Sequence, residues 1–225
     1  MEGAFRGFSA AAFAWFEGLE RDNSRAYFTA TRARYETEVR GALEDLLDEL
    51  SAEFGGPPKV FRQHRDLRFA RDRSPYKTRT YGVLAGDPAS ATGLYAEVSA
   101  RGLYAGTGYY RLARDQLERY RAAVADDGTG PELVAAATAV EAAALELAGE
   151  SLRTAPRGVA RDHPRIALLR RKALFAGARL RPGPGGIDAD AARTHVRGTW
   201  RAAAPLNAWL DAHVGASELP PETRG

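Results

Sequence analysis

The period of the apolar residues changes at residues 55–58, GGPP, and this change constrains the fold more than any other feature. Before it, from residue 25 to residue 54, apolar side chains recur at the spacing of an amphipathic helix. After it, from Val60 to Arg71, apolar and polar side chains alternate as in a β-strand. The sequence therefore predicts one long helix, followed by a sheet on which the apolar stripe of that helix packs.

Further strands are predicted in the middle of the chain and further helices towards both ends. Ser9 caps a first short helix, and Arg101-Gly102 is typical of a hairpin turn. The other strand candidates are residues 80–86, 93–100, 103–110 and 172–180, and the other helix candidates are residues 112–126, 131–149, a helix opening at 162–164, and 188–213. This order predicts an α+β fold with a central, mainly antiparallel sheet flanked by helices. We expect a single domain over residues 1–214 and a flexible C-terminal tail at 215–225.

Charge is unevenly distributed along the chain, although the net formal charge is only +3. Residues 1–55 carry six basic and eleven acidic side chains, whereas residues 59–79 carry eight basic and two acidic ones. The basic stretch is therefore a local feature. The acidic N-terminal third carries the negative charges that are expected to balance it.

Composition excludes several classes of function. The chain has no cysteine, so disulfides, thiol nucleophiles and thiolate metal sites are excluded. The first twenty residues lack the basic start of a signal peptide, and no window approaches the roughly 18 apolar residues of a membrane span. We therefore expect a cytoplasmic protein without a membrane partner.

The basic stretch contains most of the candidate site residues. On the predicted strand Val60–Arg71, alternate polar side chains form a row across one sheet face, namely Arg62, His64, Asp66 and Arg68. A neighbouring strand adds Tyr95, Glu97 and Ser99, which share a parity. The turn that follows the first strand directs Tyr76, Lys77 and Arg79 towards the same region, and Arg65 and Asp72 complete the set.

Three interpretations of this stretch stay open. Its charges form a solvated strand face with structural ion pairs, which makes the protein a non-catalytic interaction module. Alternatively, arginine side chains grip a phosphate or carboxylate in an anion pocket, to which a lysine adds a point charge. The third interpretation is a nucleic-acid surface, since basic residues alternate there with Phe69, Tyr76 and Tyr81. The anion pocket is the leading hypothesis, with an anionic small molecule as the expected partner and the oligomeric state left open.

Lys77 is the most distinctive residue of the candidate site. The chain has only three lysines, Lys59, Lys77 and Lys172, among 32 basic residues. A lysine can act as a base, a nucleophile or a compact phosphate contact in ways that arginine cannot. Asp66, held among arginines, is the candidate general base. Lys77 and Asp66 are therefore the candidate catalytic residues, and whether the protein is an enzyme stays open.

No motif identifies a metal site or a cofactor. The four histidines lack ligand partners at helical or strand spacing, and the glycine-rich stretches lack the strand and helix that frame a phosphate-binding loop. We therefore predict no metal ligands and name no cofactor.

The basic stretch resembles the central motif of a family of unknown function, catalogued as domain of unknown function 2461. The resemblance extends from about Phe5 to Leu210. The matching central residues are Arg65, Asp66, Arg68, Phe69, Asp72, Pro75, Tyr76, Lys77 and Thr78. Further matches are Asn23, Tyr27-Phe28, Tyr35, Gly106, Gly108, Leu117, Arg121, Pro156-Arg157-Gly158, Asp162-His163-Pro164 and Lys172. The resemblance implies no established activity, but it puts two of the three lysines on motif positions.

Overall fold

The structure, a computed structural model, describes residues 4–66, 68, 72–84 and 92–219. Its strands are β1 Gly7–Ser9, β2 Pro58–Val60, β3 Arg79–Leu84, β4 Gly93–Ser99, β5 Gly102–Tyr109, β6 Glu146–Ala148, β7 Leu174–Leu180 and β8 Gly186–Asp188. Its helices are α1 Ala10–Arg21, α2 Arg25–Arg34, α3 Ala42–Phe54, α4 Arg114–Ala125, α5 Thr129–Ala142, α6 Ile166–Leu169, α7 Ala189–Ala202 and α8 Ala204–His213, with a π-helical segment at Tyr35–Gly41. The predicted α+β class is confirmed.

The central sheet has six antiparallel strands in the order β2-β3-β4-β5-β7-β6. In the pairing of β3 with β4, Arg79 lies opposite Ser99, and Tyr81 lies opposite Glu97. Because side chains alternate between the two faces, residues 79, 81, 97 and 99 share one face. Strands β1 and β8 form a separate two-stranded sheet.

The chain folds into two compact units. The first contains residues 1–86, 94–105 and 179–198. Its core contains the buried apolar stripe of α3, Leu43, Leu46, Leu47 and Leu50. Helix α3 packs on β2 and β3, and the approach is so close that a Cβ on Gly82 would lie 2.5 Å from Leu47. The predicted packing of the N-terminal helical region on the sheet is confirmed.

The second unit contains residues 87–93, 106–178 and 199–225. Its core includes Tyr120 of α4, Leu133 of α5 and Trp209 of α8, which are all buried. Arg119 donates hydrogen bonds to the carbonyls of Val214 and Ala216, and Asp115 accepts one from the backbone of Glu218. Thus residues 216 and 218 of the predicted tail make hydrogen bonds to α4.

Three of the predicted helices are interrupted, divided or shortened. The helix predicted over 25–54 is a continuous helical run, but its middle part is π-helical. The helix predicted over 188–213 is divided at Ala203, two residues before Pro205, because proline lacks the N–H that would bond the carbonyl four residues earlier, in α7. Helix α5 ends at Ala142, so the prediction of a helix to residue 149 is wrong there, and residues 146–148 form β6 instead.

The strand predicted from Val60 to Arg71 is wrong over most of its length. Strand β2 ends at Val60, and His64 makes only an isolated bridge to Tyr76. Two physical features oppose a regular ladder in the residues that follow. Asp66 bonds the backbone N–H of Arg68 two residues ahead, which turns the chain, and Pro75 offers no N–H for a ladder. Leu67 and residues 69–71 lie outside the described residues.

No helix within the described ranges is both long and apolar enough to span a membrane.

Candidate functional site

The segment that joins β2 to β3, residues 61–78, contains most of the predicted site residues, and we call it the motif loop. It folds back on itself through backbone hydrogen bonds. Arg65 N donates to Pro75 O at 2.9 Å, and Lys77 N donates to Gln63 O at 3.0 Å. These bonds bring the two ends of the loop side by side.

Asn23 anchors one end of the motif loop. Its side-chain Nδ2 donates to the carbonyl of Tyr76 at 3.1 Å, and the N–H of Tyr76 donates to Asn23 Oδ1 at 3.0 Å. The Tyr76 ring is buried and stacks on Phe28, with a centroid separation of 4.2 Å and an interplanar angle of 11°. Both the backbone and the side chain of Tyr76 are thereby fixed, which determines where Lys77 begins.

Gln63 anchors the residues on either side of Thr78. Its side chain is buried, and Nε2 donates to the carbonyls of Lys77 and of Arg79, the latter at 3.3 Å. Its Oε1 accepts from the buried Thr80 hydroxyl at 2.8 Å. Because Lys77 and Arg79 are two residues apart on this extended segment, the anchor holds both in a defined backbone position.

The motif loop and the start of β3 line a pocket of about 330 Å³, which we call the motif pocket. Its lining residues are Asn23, Arg65, Asp72, Ser74, Tyr76, Lys77, Thr78 and Arg79. Arg65 forms an ion pair with Asp72, which also accepts from the Ser74 hydroxyl at 2.6 Å. The hydrogen bonds from Ser74, together with the Arg65 guanidinium, lower the pKa of Asp72. Three cations and one carboxylate thus line the pocket, which leaves it positively charged.

Lys77 has cationic neighbours and no carboxylate partner among the described residues. Its Nζ donates to the carbonyl of Arg62 at 2.5 Å and lies 4.9 Å from the centroid of the Tyr81 ring. Partial burial, followed by the charges of Arg62 and Arg79, lowers the pKa of Lys77. The ammonium of half-buried Lys77 is therefore held close to other positive charges, and it has no ion-pair partner within the described ranges.

The remaining predicted residues of the motif loop lie apart from the pocket lining. Asp66 and Arg68 pair with each other, with Arg68 Nη2 2.7 Å from Asp66 Oδ2, and both are exposed. The hydrogen bonds from the Arg68 side chain and backbone lower the pKa of Asp66 to about 2. Arg62 and His64 are exposed as well. The structure thus brings Arg65, Asp72, Tyr76, Lys77 and Arg79 together, but not Arg68 with Lys77.

A second group of charges lies on the sheet itself, around Glu97 of β4. The Glu97 side chain is only 8% exposed. Its Oε1 accepts from Arg179 Nη2 at 3.0 Å, and its Oε2 accepts from the Tyr95 hydroxyl at 2.7 Å and lies 3.3 Å from Arg79 Nε. Burial, and then the charge of Glu97, raises the pKa of Tyr95. We call Glu97, Tyr95, Ser99, Arg79 and Arg179 the Glu97 cluster.

Arg79 belongs to both groups, since it lines the motif pocket and pairs with Glu97. Arg179 of β7, which also donates to Ser99 Oγ at 3.2 Å, was not among the predicted site residues. The signal for it was available. In the predicted strand over 172–180, Phe175, Gly177 and Arg179 share one face, and Arg179 is the only charged residue among them.

A larger cavity of about 730 Å³ lies elsewhere in the first unit, between the two-stranded sheet and the π-helical segment. Its charged lining residues are Arg6, Glu38, Asp45 and Asp188, and Ser9 donates to Glu38 at 2.6 Å. None of the predicted site residues lines it. Within the described part of the chain, no three His, Asp or Glu side chains are grouped so that they could hold a metal ion.

One comparison with known proteins gives a match. A family model described as "Conserved hypothetical protein (DUF2461)" matches residues 11–209. The matched range includes the motif loop, both anchoring amides and every member of the Glu97 cluster. No curated protein matches the chain.

Proposed function

This chain belongs to the conserved hypothetical protein family DUF2461, and we propose that it binds a small molecule carrying a phosphate or carboxylate group in the motif pocket. The observation that supports this most directly is the position of Lys77. The ammonium of a half-buried lysine that lines a pocket, without a carboxylate partner among the described residues, is stabilised by an anion from solution.

The pocket suits an anion in size and in charge. Its volume of about 330 Å³ is at the lower end of the range for small-molecule sites, roughly 300–1,000 Å³. Arg65 and Arg79 each share their charge with a carboxylate, whereas Lys77 has no carboxylate partner in the part of the chain that the structure describes. Thr78 also lines the pocket and carries a hydroxyl, which is a neutral hydrogen-bond donor.

The pocket is also preorganised. Asn23 and Gln63 hold the backbone from Tyr76 to Arg79 through hydrogen bonds that do not involve the cationic groups themselves. Folding already orders this backbone. An anion that binds there therefore causes little further loss of backbone conformational entropy.

The geometry favours binding over catalysis by Asp66. Asp66 is exposed, does not line the pocket and is held as a carboxylate by Arg68, with its pKa lowered to about 2. A group with so low a pKa is a weak general base near neutral pH. Lys77, with its lowered pKa, is the better candidate for a proton-transfer role.

A thermal-shift experiment with inorganic phosphate, pyrophosphate and citrate tests the proposal, followed by calorimetry on the best of the three. We expect at least one probe to stabilise the protein and Lys77→Gln to weaken its binding by about tenfold, or about 1.4 kcal/mol. Lys172→Gln is the matched control, because Lys172 is paired with Glu150 and does not line the motif pocket. The absence of stabilisation by all three probes, or equal weakening by both variants, would overturn the proposal.

A further inference from the structure

Four aromatic rings form a row next to the motif pocket, and we call them the aromatic row. The ring centroids of Phe61 and Tyr81 are 4.8 Å apart, those of Tyr81 and Tyr95 are 5.6 Å apart, and those of Tyr95 and Tyr104 are 6.1 Å apart. All four side chains are partly exposed. Tyr81 shares its sheet face with Arg79 and Glu97, so the row runs along the face that carries the Glu97 cluster.

Cations lie over three of the four rings. Lys59 Nζ is 5.2 Å from the Phe61 centroid, Lys77 Nζ is 4.9 Å from the Tyr81 centroid, and the Arg179 guanidinium carbon is 5.1 Å from the Tyr104 centroid. The row therefore alternates planar π-surfaces with positive charge. This combination suits a ligand in which a planar ring and an anionic group lie close together.

Lys77 connects the aromatic row to the motif pocket, because the residue lines the pocket and its ammonium lies over the Tyr81 ring. A ligand whose anionic group binds Lys77 therefore has a tyrosine ring within about 5 Å of that contact. An aliphatic phosphate or dicarboxylate would contact the lysine but not the ring. A ligand with a heteroaromatic ring one sugar away from its phosphate would contact both the lysine and the ring.

From this juxtaposition we infer that the ligand of the motif pocket is a nucleoside phosphate, with its phosphate on Lys77 and Arg65 and its base at the Phe61–Tyr81 end of the aromatic row. The inference rests on the proposed function and narrows its ligand class. Two sources supply this chemistry, a free nucleotide and a single-stranded nucleic acid. The free nucleotide contacts only the Phe61–Tyr81 end of the row, whereas a strand contacts the row as far as Tyr104.

The test compares ligands that differ by one part. Calorimetry or NMR titration of the full chain measures dissociation constants for inorganic phosphate, ribose 5-phosphate, the four nucleoside 5′-monophosphates and a single-stranded oligonucleotide of about ten nucleotides. At least one nucleotide is expected to bind about tenfold more tightly than ribose 5-phosphate, since stacking of one base contributes that much.

Substitutions in the row locate the base. Tyr81→Leu is expected to reduce the affinity for the nucleotide to that for ribose 5-phosphate, while ribose 5-phosphate itself binds as before. Tyr81→Phe keeps the ring and should keep the affinity, which controls for a folding defect of the leucine variant. Tyr104→Leu separates the two sources, because it leaves mononucleotide binding unchanged and weakens only the binding of an oligonucleotide.

The outcomes separate this inference from the proposed function. If ribose 5-phosphate and every nucleotide bind equally, the inference is wrong and the anion site stands. If Tyr81→Phe loses affinity as Tyr81→Leu does, the ring is not the contact and the inference is again wrong. If none of the phosphates binds, the proposed function fails together with it.

Discussion

The Glu97 cluster and the Asp66–Arg68 pair use the same chemistry, a carboxylate held by arginine, in two different physical settings. Asp66 and Arg68 are two residues apart in sequence, and their side chains are 50% and 78% exposed. Glu97 is 8% exposed and is held by arginines from two other strands, Arg79 and Arg179. Exposed pairs of the first kind contribute little to stability, because solvent screens them, whereas loss of one partner from a buried pair costs about 3–5 kcal/mol.

The difference shows that the density of charge in a sequence does not locate the electrostatic interactions that matter most for stability. The motif loop carries the more conspicuous charges, but its ion pairs are local and solvated. The Glu97 cluster is inconspicuous, because its members are separated by up to 100 residues and meet only when the sheet forms. Predictions for four residues test this comparison.

The largest effect is expected for Glu97→Ala. The substitution removes the acceptor of Arg179 and of the Tyr95 hydroxyl, and it should lower the free energy of unfolding by about 3 kcal/mol. Urea unfolding measures the change. Glu150→Ala, which removes the partner of Lys172 in an exposed pair, is the control and should change the stability by less than about 1 kcal/mol. Equal effects of the two variants would remove the distinction between buried and exposed pairs.

The next effect in size is expected for Gln63→Ala, with a loss of about 2 kcal/mol. The substitution leaves the buried Thr80 hydroxyl and the carbonyls of Lys77 and Arg79 without this partner. Gln63→Leu restores most of the volume but none of the bonds, so it should be nearly as destabilised. If Gln63→Leu has the stability of the parent, packing and not hydrogen bonding holds the motif loop.

Lys77→Arg should weaken anion binding without changing the stability of the fold. It keeps the charge but loses the compact ammonium, so we expect binding of the best anionic probe to weaken by roughly tenfold, or about 1.4 kcal/mol, with an unchanged unfolding curve.

The pH dependence of that binding identifies Lys77 independently. Because burial and neighbouring cations lower the pKa of Lys77, the parent should lose anion affinity as the pH rises through a midpoint below 10.5. Lys77→Arg should show no such loss, since arginine stays protonated. A parallel decline in both proteins would assign the titration to another group.

The smallest effect is expected for Asp66→Ala, which should leave the unfolding curve of the protein unchanged at neutral pH because the Asp66–Arg68 pair is exposed. The sign of its pH dependence is defined. Since the folded-state pKa is lowered from 3.8 to about 2, any stabilisation by Asp66 is present above 3.8 and is lost as the pH falls towards 2. NMR titration of the Asp66 carboxyl should give a midpoint near 2. A clear loss of stability at neutral pH would contradict this expectation, since it would show that the Asp66–Arg68 pair stabilises the fold as the Glu97 cluster is expected to do.

The sequence was sufficient to predict strands β3, β4 and β5, and the alternation of side chains predicted the shared face of Tyr95, Glu97 and Ser99. Alternation failed between Val60 and Arg71, because the side chain of Asp66 and the missing N–H of Pro75 favour a loop over a ladder. Arg179 could not be paired with Glu97 from the sequence, because the order of strands in a sheet depends on non-local contacts. The anchoring role of Gln63 escaped prediction for the same reason, since its partners lie 14 to 17 residues away.

The amide of Asn23 has a consequence for how the protein behaves in a concentrated solution. It offers Tyr76 one donor and one acceptor, as the peptide group of a neighbouring strand would. On its other side the chain is bonded at Lys77 to Gln63. The backbone at Tyr76 and Lys77 is therefore occupied on both flanks although no further strand lies beyond Tyr76 within the described residues, and it offers no free edge to which a strand of another molecule could add.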